Sequence, residues 1–153
     1  MQQNYSHIFK ELPDTSRVWI YQNQSVIPQN LRPAIQAKLD EFTMQWAAHK
    51  VQLFAQATIL EDYFLVLAVD ESVTQASGCS IDSSVHFIKE LEKEFNLNLF
   101  DRLHVLVEEN NEKKVVHFSE LSGFPNAYLY NPLITTLGDL RNKWKIKVSD
   151  FSH

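Results

Sequence analysis

The sequence is poor in cysteine and has no long apolar run. Cys79 is the single cysteine among 153 residues, so the chain cannot form an internal disulfide. No apolar stretch approaches the roughly 20 residues that a membrane-spanning helix requires, and residues 1–7 lack the basic and then apolar pattern of an export signal. These absences predict a protein of the reducing cytoplasm that does not enter a membrane.

An excess of basic residues is also missing. The formal net charge is -5 at pH 7, and the lysines and arginines are scattered among acidic residues. Nucleic-acid binding depends on clustered Lys and Arg that neutralise phosphates, so we expect no nucleic-acid partner. The length and a hydrophobic fraction of 44% are typical of a single globular domain, here over residues 1–153.

Hydrophobic periodicity divides the chain into strands and helices. Strand signals cover residues 17–22, 52–60, 63–70, 101–108 and 114–118, and helical spacing covers 31–50 and 80–95. The order over the first 108 residues is β-α-β-β-α-β, which is typical of the ferredoxin-like α+β fold. We predict such a core over about 16–118, with an added fifth strand, and a C-terminal extension over 119–153 that carries a short strand at 127–130 and a helix at 136–144.

The ferredoxin-like order brings distant polar residues to one end of the sheet. The start of the first strand, the end of the first helix, the end of the third strand and the start of the second helix all lie there. The residues predicted to meet at this end are Arg17, His49, Asp70, Cys79, Ser80 and Asp82, with Trp46 nearby on the first helix.

Cys79 is the first candidate for chemistry at that end. If Ser80 is the N-cap of the second helix, the sulfur lies beside free backbone amides and the positive end of the helix dipole, which stabilise the reactive thiolate. His49 would then be its base and Asp70 would orient the histidine, as in other covalent catalysts. The alternative is a small buried apolar residue, which is the commoner role of an isolated cysteine.

The same end of the sheet also fits a binding site without catalysis. The backbone amides of Gly78 and Ser80 suit a carboxylate or phosphate, and Arg17 could add a bidentate contact. Trp46 could line this pocket, although an aromatic at helical spacing is usually part of the core. Asp82 argues against a strongly anionic guest because it already places a negative charge near the helix start, where its alternative role is capping.

Two histidines form a second constellation on the hairpin predicted over 101–118. Pairing Val105 with Val116 keeps the apolar residues on one face and places His104 directly opposite His117. The pair could supply two metal ligands, but two are too few for a structural zinc site and no further ligand occurs at suitable spacing. A solvated outer face is the alternative, and we predict no cofactor.

One face of the predicted sheet carries an apolar patch formed by Trp19, Tyr21, Leu65 and Leu67. A patch of that kind normally marks an interface or is covered by the chain itself. Either the C-terminal segment with Tyr128, Tyr130 and Trp144 folds over it, or two copies of the chain pair sheet to sheet.

Three motifs resemble those of a known protein family. They are ELPDTSRVWIYQ at 11–22, WAAH at 46–49 and SGCSIDSSVHFI at 77–88, within a likeness that covers about residues 8–107. The chain resembles a family of short bacterial proteins that are commonly labelled "ABC transporter ATPase" and have no established activity. The resemblance implies only that the three motifs matter together.

The label of that family conflicts with the residues present here. A nucleotide-binding P-loop needs a glycine-rich turn followed by Gly-Lys-Ser or Gly-Lys-Thr. The three glycines are isolated at positions 78, 123 and 138, and none precedes a lysine. We therefore expect no ATP hydrolysis by this chain.

Two functions remain open on these observations. The first is a small-molecule-binding or thiol-dependent enzyme domain whose pocket lies at the start of the second helix. The alternative is a non-enzymatic module that forms a homodimer or binds a partner through its aromatic sheet face. The residues do not decide between an enzyme and a binding module.

Overall fold

A computed structural model of the chain describes residues 5–151. Its elements are β1 (Arg17–Gln22), α1 (Arg32–Gln45), β2 (Ala47–Ala48), β3 (Val51–Gln52), β4 (Phe54–Leu60), β5 (Phe64–Asp70), α2 (Gly78–Phe95), β6 (His104–Glu109), β7 (Glu112–His117), β8 (Tyr128–Tyr130), α3 (Leu137–Lys143) and β9 (Lys145–Lys147). Short 3-10 turns lie at Gln29–Leu31, Phe118–Gly123 and Val148–Asp150. The strands pair antiparallel, and the α+β class predicted from the sequence is confirmed.

The first sheet has the order β1-β5-β4, with β5 at its centre. The apolar run of β5 is buried on both faces, because Val66 and Ala68 face one core and Leu65 and Leu67 face another. Strands β4 and β5 form a hairpin whose register pairs Leu60 with Phe64. Its turn residues, 61 and 62, both adopt positive φ angles of 54° and 67°.

Helices α1 and α2 cover the face of this sheet that carries Leu65 and Leu67. Phe42 of α1 stacks on Phe87 of α2, with ring centroids 4.3 Å apart. Helix α1 ends at Gln45, earlier than the predicted end near residue 50, because Trp46 adopts an extended backbone. Trp46 then turns inward, and its indole Nε1 donates to the Ser80 carbonyl at 2.8 Å.

The opposite face of the first sheet packs against a second sheet of order β7-β6-β8-β9. Aromatic rings join the two sheets: Phe64 of β5 lies 5.6 Å from Tyr130 and 4.9 Å from Trp144, measured between ring centroids. Strand β6 is buried on both faces, because Leu106 belongs to this inter-sheet core and Val105 and Val107 belong to a third core on the far side.

The ferredoxin-like strand order is not confirmed, because β6 does not pair with β1. The N–H of Val18 donates to the Thr135 carbonyl at 2.9 Å, and the N–H of Leu137 donates to the Ser16 carbonyl at 2.8 Å. A C-terminal segment therefore occupies the start of the β1 edge that the fourth ferredoxin-like strand would take. Residues 119–151 thus supply β8, α3 and β9 to the body of the fold, where the sequence predicted an extension.

The apolar patch predicted to lie on the outer sheet face is not exposed. Tyr21 is 7% exposed and Leu65 and Leu67 are fully buried, since α1 and α2 cover that face. The C-terminal segment does fold over the sheet, but over the opposite face, where Tyr130 and Trp144 pack against it. Homodimer formation stays a prediction, although not through this covered surface.

Arg141 of α3 fastens the N-terminal arm to the body of the fold. Its guanidinium donates to the carbonyl oxygens of Ile8, Phe9 and Leu12 at 2.8 to 2.9 Å. It also pairs with the Asp14 carboxylate at 2.7 Å. This contact holds Ile8 and Leu12 in the inter-sheet core.

A polar cluster joins the two sheets at the hydroxyl of Tyr130. This hydroxyl lies 2.9 Å from a carboxylate oxygen of Glu61 and 2.9 Å from one of Glu108, although its single proton serves one of them at a time. Lys145 pairs with Glu108 at 2.8 Å, and Lys113 pairs with Glu61 at 3.1 Å. Burial would raise the pKa of Glu108, but the hydrogen bonds from Lys145 and Tyr130 outweigh it and hold that pKa below its ordinary value.

We predict that Glu108→Gln makes the stability of the fold less sensitive to acid. Because the folded-state pKa of Glu108 is lowered, its carboxylate stabilises the fold above a pH of about 4.3, and this contribution disappears as the pH falls through the folded-state pKa. Urea unfolding between pH 7 and pH 3 should show a smaller loss in the variant than in the wild type. Glu109→Gln, at an exposed neighbouring position, is the control and should follow the wild type; equal pH slopes for all three proteins would contradict the prediction.

Candidate functional site

The start of β1, the end of α1 and the start of α2 do meet, as the sequence predicted. The Arg17 guanidinium lies 4.8 Å from the centroid of the Trp19 ring, and Trp19 contacts Trp46 edge to face at 5.7 Å. Trp46 in turn donates to Ser80 and is only 2% exposed. Trp46 is therefore a core residue that fixes α2, and Arg17 lies on an exposed rim.

The N-cap of α2 is Ser77, and the prediction of Ser80 as the cap is wrong. The Ser77 hydroxyl accepts from the N–H of Ser80 at 3.1 Å, and the Ser80 hydroxyl accepts from the N–H of Ser77 at 2.7 Å. This reciprocal capping box uses the Ser80 amide that the sequence assigned to a ligand. Gly78 is the first residue of the helix, and Asp82 lies past its first turn, so Asp82 does not cap it.

Cys79, His49 and Asp70 are not joined by any hydrogen bond or ion pair among the described residues. Cys79 is exposed, and His49 lies in the exposed turn between β2 and β3 with a φ of 50°. Asp70 accepts from the N–H of Ser72 at 3.0 Å. The three residues therefore form no triad here, and the nucleophilic role of Cys79 stays a prediction.

A cavity lies at the other end of β1, between the two sheets, and we call it the inter-sheet cavity. Its volume is about 340 Å³. Its wall is built from residues 20–22 of β1, Phe64 of β5, the loop at 99–102, the start of β6, residues 130–133 and the side chains of Phe118, Trp144 and Phe151. At about 3.3 Å per residue, this end of β1 is roughly 17 Å from Arg17.

The cavity lies where the edge of β1 has no neighbouring strand among residues 5–151. The 135–137 segment pairs only with the first part of that edge, near Val18. Because alternate residues of an antiparallel strand direct their backbone groups to the same edge, the N–H and carbonyl of Ile20 face this opening. The β1 edge therefore adds backbone hydrogen-bonding groups to the cavity wall.

Two side chains on the cavity wall carry buried N–H donors that lack a partner within the described part of the chain. They are the amide Nε2 of Gln22 and the indole Nε1 of Trp144. Trp144 is 1% exposed, so its N–H gains nothing from bulk water. A buried donor without a partner is costly, by about 1 to 3 kcal/mol, and most native structures avoid it.

Asp101, Arg102 and His104 form a polar group at the cavity. The Asp101 carboxylate accepts from the N–H of Leu103 at 2.7 Å and lies 2.9 Å from Nδ1 of His104. Burial acts to raise the pKa of Asp101, but these hydrogen bonds are stronger in sum and lower it. Arg102 is exposed and makes no ion pair or side-chain hydrogen bond with the residues from 5 to 151.

The predicted pairing of His104 with His117 is confirmed by the β6–β7 register. Their ring centroids lie 5.3 Å apart. The Nδ1 of His117 accepts from the N–H of Ser119 at 3.1 Å. Within residues 5–151, no group of three or more His, Cys, Asp or Glu side chains is arranged to hold a metal ion.

Sequence reasoning missed Asp101, Arg102, Gln22 and Trp144 as site residues. It extended the fourth strand back to residue 101, whereas β6 begins at His104 because the Asp101 side chain binds the amides of the next residues. An Asp that precedes a strand by a few residues is a known turn signal and could have corrected this boundary. The unpartnered donors have no sequence signal, since partners are set by the tertiary fold.

Comparisons with protein families, curated proteins and solved structures find no match to this chain. Among the described helices, none is long and apolar enough to cross a membrane.

We predict that Gln22→Met does not destabilise the protein, whereas Gln36→Met does. Methionine keeps the length of the side chain and removes the unpartnered Nε2 of Gln22, so the free energy of unfolding should be unchanged or rise by about 1 kcal/mol. The Nε2 of Gln36 donates to the Ala57 carbonyl at 2.9 Å, and its loss should lower that free energy by about 1 kcal/mol. Urea unfolding measures both changes, and equal destabilisation by the two substitutions would contradict the assignment.

Proposed function

We propose that this protein binds a small, mainly apolar molecule that carries a carbonyl or carboxylate group, and that the inter-sheet cavity is its site. The observation that supports this proposal is that Gln22 and Trp144, which both line the cavity, each carry a buried N–H donor without a partner among the described residues. A ligand oxygen that accepts from them would remove the energetic penalty of burying them unpaired. Because the N–H donors of Gln22 and Trp144 lack acceptors among the described residues, they favour a ligand that carries an acceptor oxygen.

The size and lining of the cavity fit this class of ligand. A volume of about 340 Å³ is within the range of small-molecule sites, which are mostly apolar with a few polar groups that set orientation. The apolar lining includes the exposed side chains of Phe118 and Leu133 and the buried rings of Phe64, Tyr130 and Trp144. They favour an aromatic or branched aliphatic body over a sugar or a nucleotide.

The positive charge of Arg102 at the cavity favours a ligand whose acceptor oxygen is negatively charged. Arg102 has no carboxylate partner in the described structure and can form a bidentate pair with a ligand carboxylate. Asp101 is already bound by two backbone amides and His104, so its negative charge is balanced by its own donors. Cys79 lies away from this cavity and has no part in the proposal.

The indole N–H resonance of Trp144 is the direct test of the proposal. In ¹H–¹⁵N spectra, 4-phenyl-2-butanone or 3-phenylpropionate at millimolar concentration should move this resonance downfield, because the N–H gains an acceptor. The resonance of Trp46 is an internal control, since its N–H already donates to Ser80. Trp19→Phe and Trp144→Phe assign the signals.

A matched ligand and a matched variant complete the experiment. 3-Phenylpropylamine has a similar apolar body without a carbonyl oxygen and should leave the Trp144 resonance in place. Gln22→Met should weaken binding of the ketone and the carboxylate about tenfold, as expected for one lost hydrogen bond of about 1.4 kcal/mol. If neither acceptor ligand moves the Trp144 signal, or if the amine moves it equally, the proposal is wrong.

A further inference from the structure

We infer that the inter-sheet cavity also catalyses proton transfer on a bound carbonyl compound, with His104 as the base. The inference rests on the proposed function, because it needs the ligand oxygen to accept from Gln22 and Trp144. It deepens that function by naming the substrate class: a ketone or related carbonyl compound with a hydrogen on the neighbouring carbon. The reaction would be an isomerisation through an enolate.

The hydrogen bonds of Asp101 hold the imidazole of His104 in the tautomer that a general base requires. Asp101 is held ionised by the N–H groups of Leu103 and His104, so its Oδ2 is an acceptor. Nδ1 of His104, at 2.9 Å from that oxygen, must then carry the proton. The neutral imidazole therefore keeps its lone pair on Nε2, in the residue that lines the cavity.

Asp101 is a positioning residue in this arrangement. It has three hydrogen bonds of its own, so its carboxylate is fixed before any ligand arrives. A fixed carboxylate orients the imidazole and stabilises the imidazolium that forms when His104 takes a proton. The same logic makes His–carboxylate pairs effective in general-base catalysis.

The unpartnered donors supply the second requirement of the reaction. When the C–H bond beside the carbonyl breaks, its proton passes to Nε2 of His104 and its electron pair forms a carbon–carbon double bond. Negative charge then collects on the carbonyl oxygen, where the N–H groups of Trp144 and Gln22 stabilise it. Return of the proton to the same carbon regenerates the carbonyl compound, and its delivery to another carbon of the anion completes an isomerisation; no oxidant, reductant or other co-reactant is consumed.

His117 lies beside His104 and has the opposite tautomer. Because its Nδ1 accepts from the backbone N–H of Ser119, a neutral His117 must carry its proton on Nε2. Its ring centroid lies 5.3 Å from that of His104. The hairpin thus holds two imidazoles of opposite tautomer, and of the two only His104 lines the cavity.

Exchange of carbon-bound hydrogen in D₂O tests the inference. With 4-phenyl-2-butanone, the protein should accelerate loss of the ¹H signals on the carbons beside the carbonyl, relative to buffer. His104→Gln should reduce this exchange by about 100-fold or more, the usual contribution of a general base, while the Trp144 shift on ligand binding is kept. His86→Gln, at an exposed site on α2, should exchange like the wild type.

Asp101→Asn separates positioning from a structural role. Exchange should fall while the ketone concentration that half-saturates the Trp144 shift stays the same, because Asp101 acts on His104 and not on binding. Ketone binding without acceleration of exchange in the wild type would overturn the inference and leave the proposed function standing. Acceleration that survives in His104→Gln would overturn the assignment of the base, and absence of the Trp144 shift would overturn both proposals.

Discussion

The structure depends on the contact between its two sheets, which three aromatic rings maintain. Phe64 of the first sheet packs against Tyr130 of the second and against Trp144, which follows α3. The same three rings line the inter-sheet cavity. The side chains that hold the layers together are therefore also the wall of the candidate site, so changes to the core at this point act on stability and on binding together.

Local structure was predictable because its signals are local. Strand-type residue patterns defined β1, β4 and β5, the pairing of Val105 with Val116 gave the hairpin register, and a helix was predicted at 136–144, where α3 lies. The assembly of the strands was not predictable in the same way. The alternation in β6 is the same whether it pairs with β1 or within a second sheet, and the outcome is set by residues 135–137, more than 100 positions after β1.

The candidate site could likewise be predicted from the sequence only in part. The sequence correctly brought Trp46 and Ser80 together, but the capping box of Ser77 uses the amide that a ligand would need. The inter-sheet cavity draws on at least five separate segments, and its most informative property is the absence of partners for Gln22 and Trp144. Whether a side chain lacks a hydrogen-bond partner is decided by the tertiary fold and produces no sequence pattern. The nucleophilic role of Cys79, a homodimer and the family resemblance stay predictions.

The contact between Arg141 and the N-terminal arm bears on how the chain folds during synthesis. The guanidinium binds carbonyl oxygens that lie 129 to 133 positions earlier in the chain. These residues leave the ribosome long before α3 does, so the arm cannot be fixed until nearly all of the described chain has emerged. Ile8 and Leu12 consequently cannot take their native places beside Val18 and Val66 in the inter-sheet core until late in synthesis.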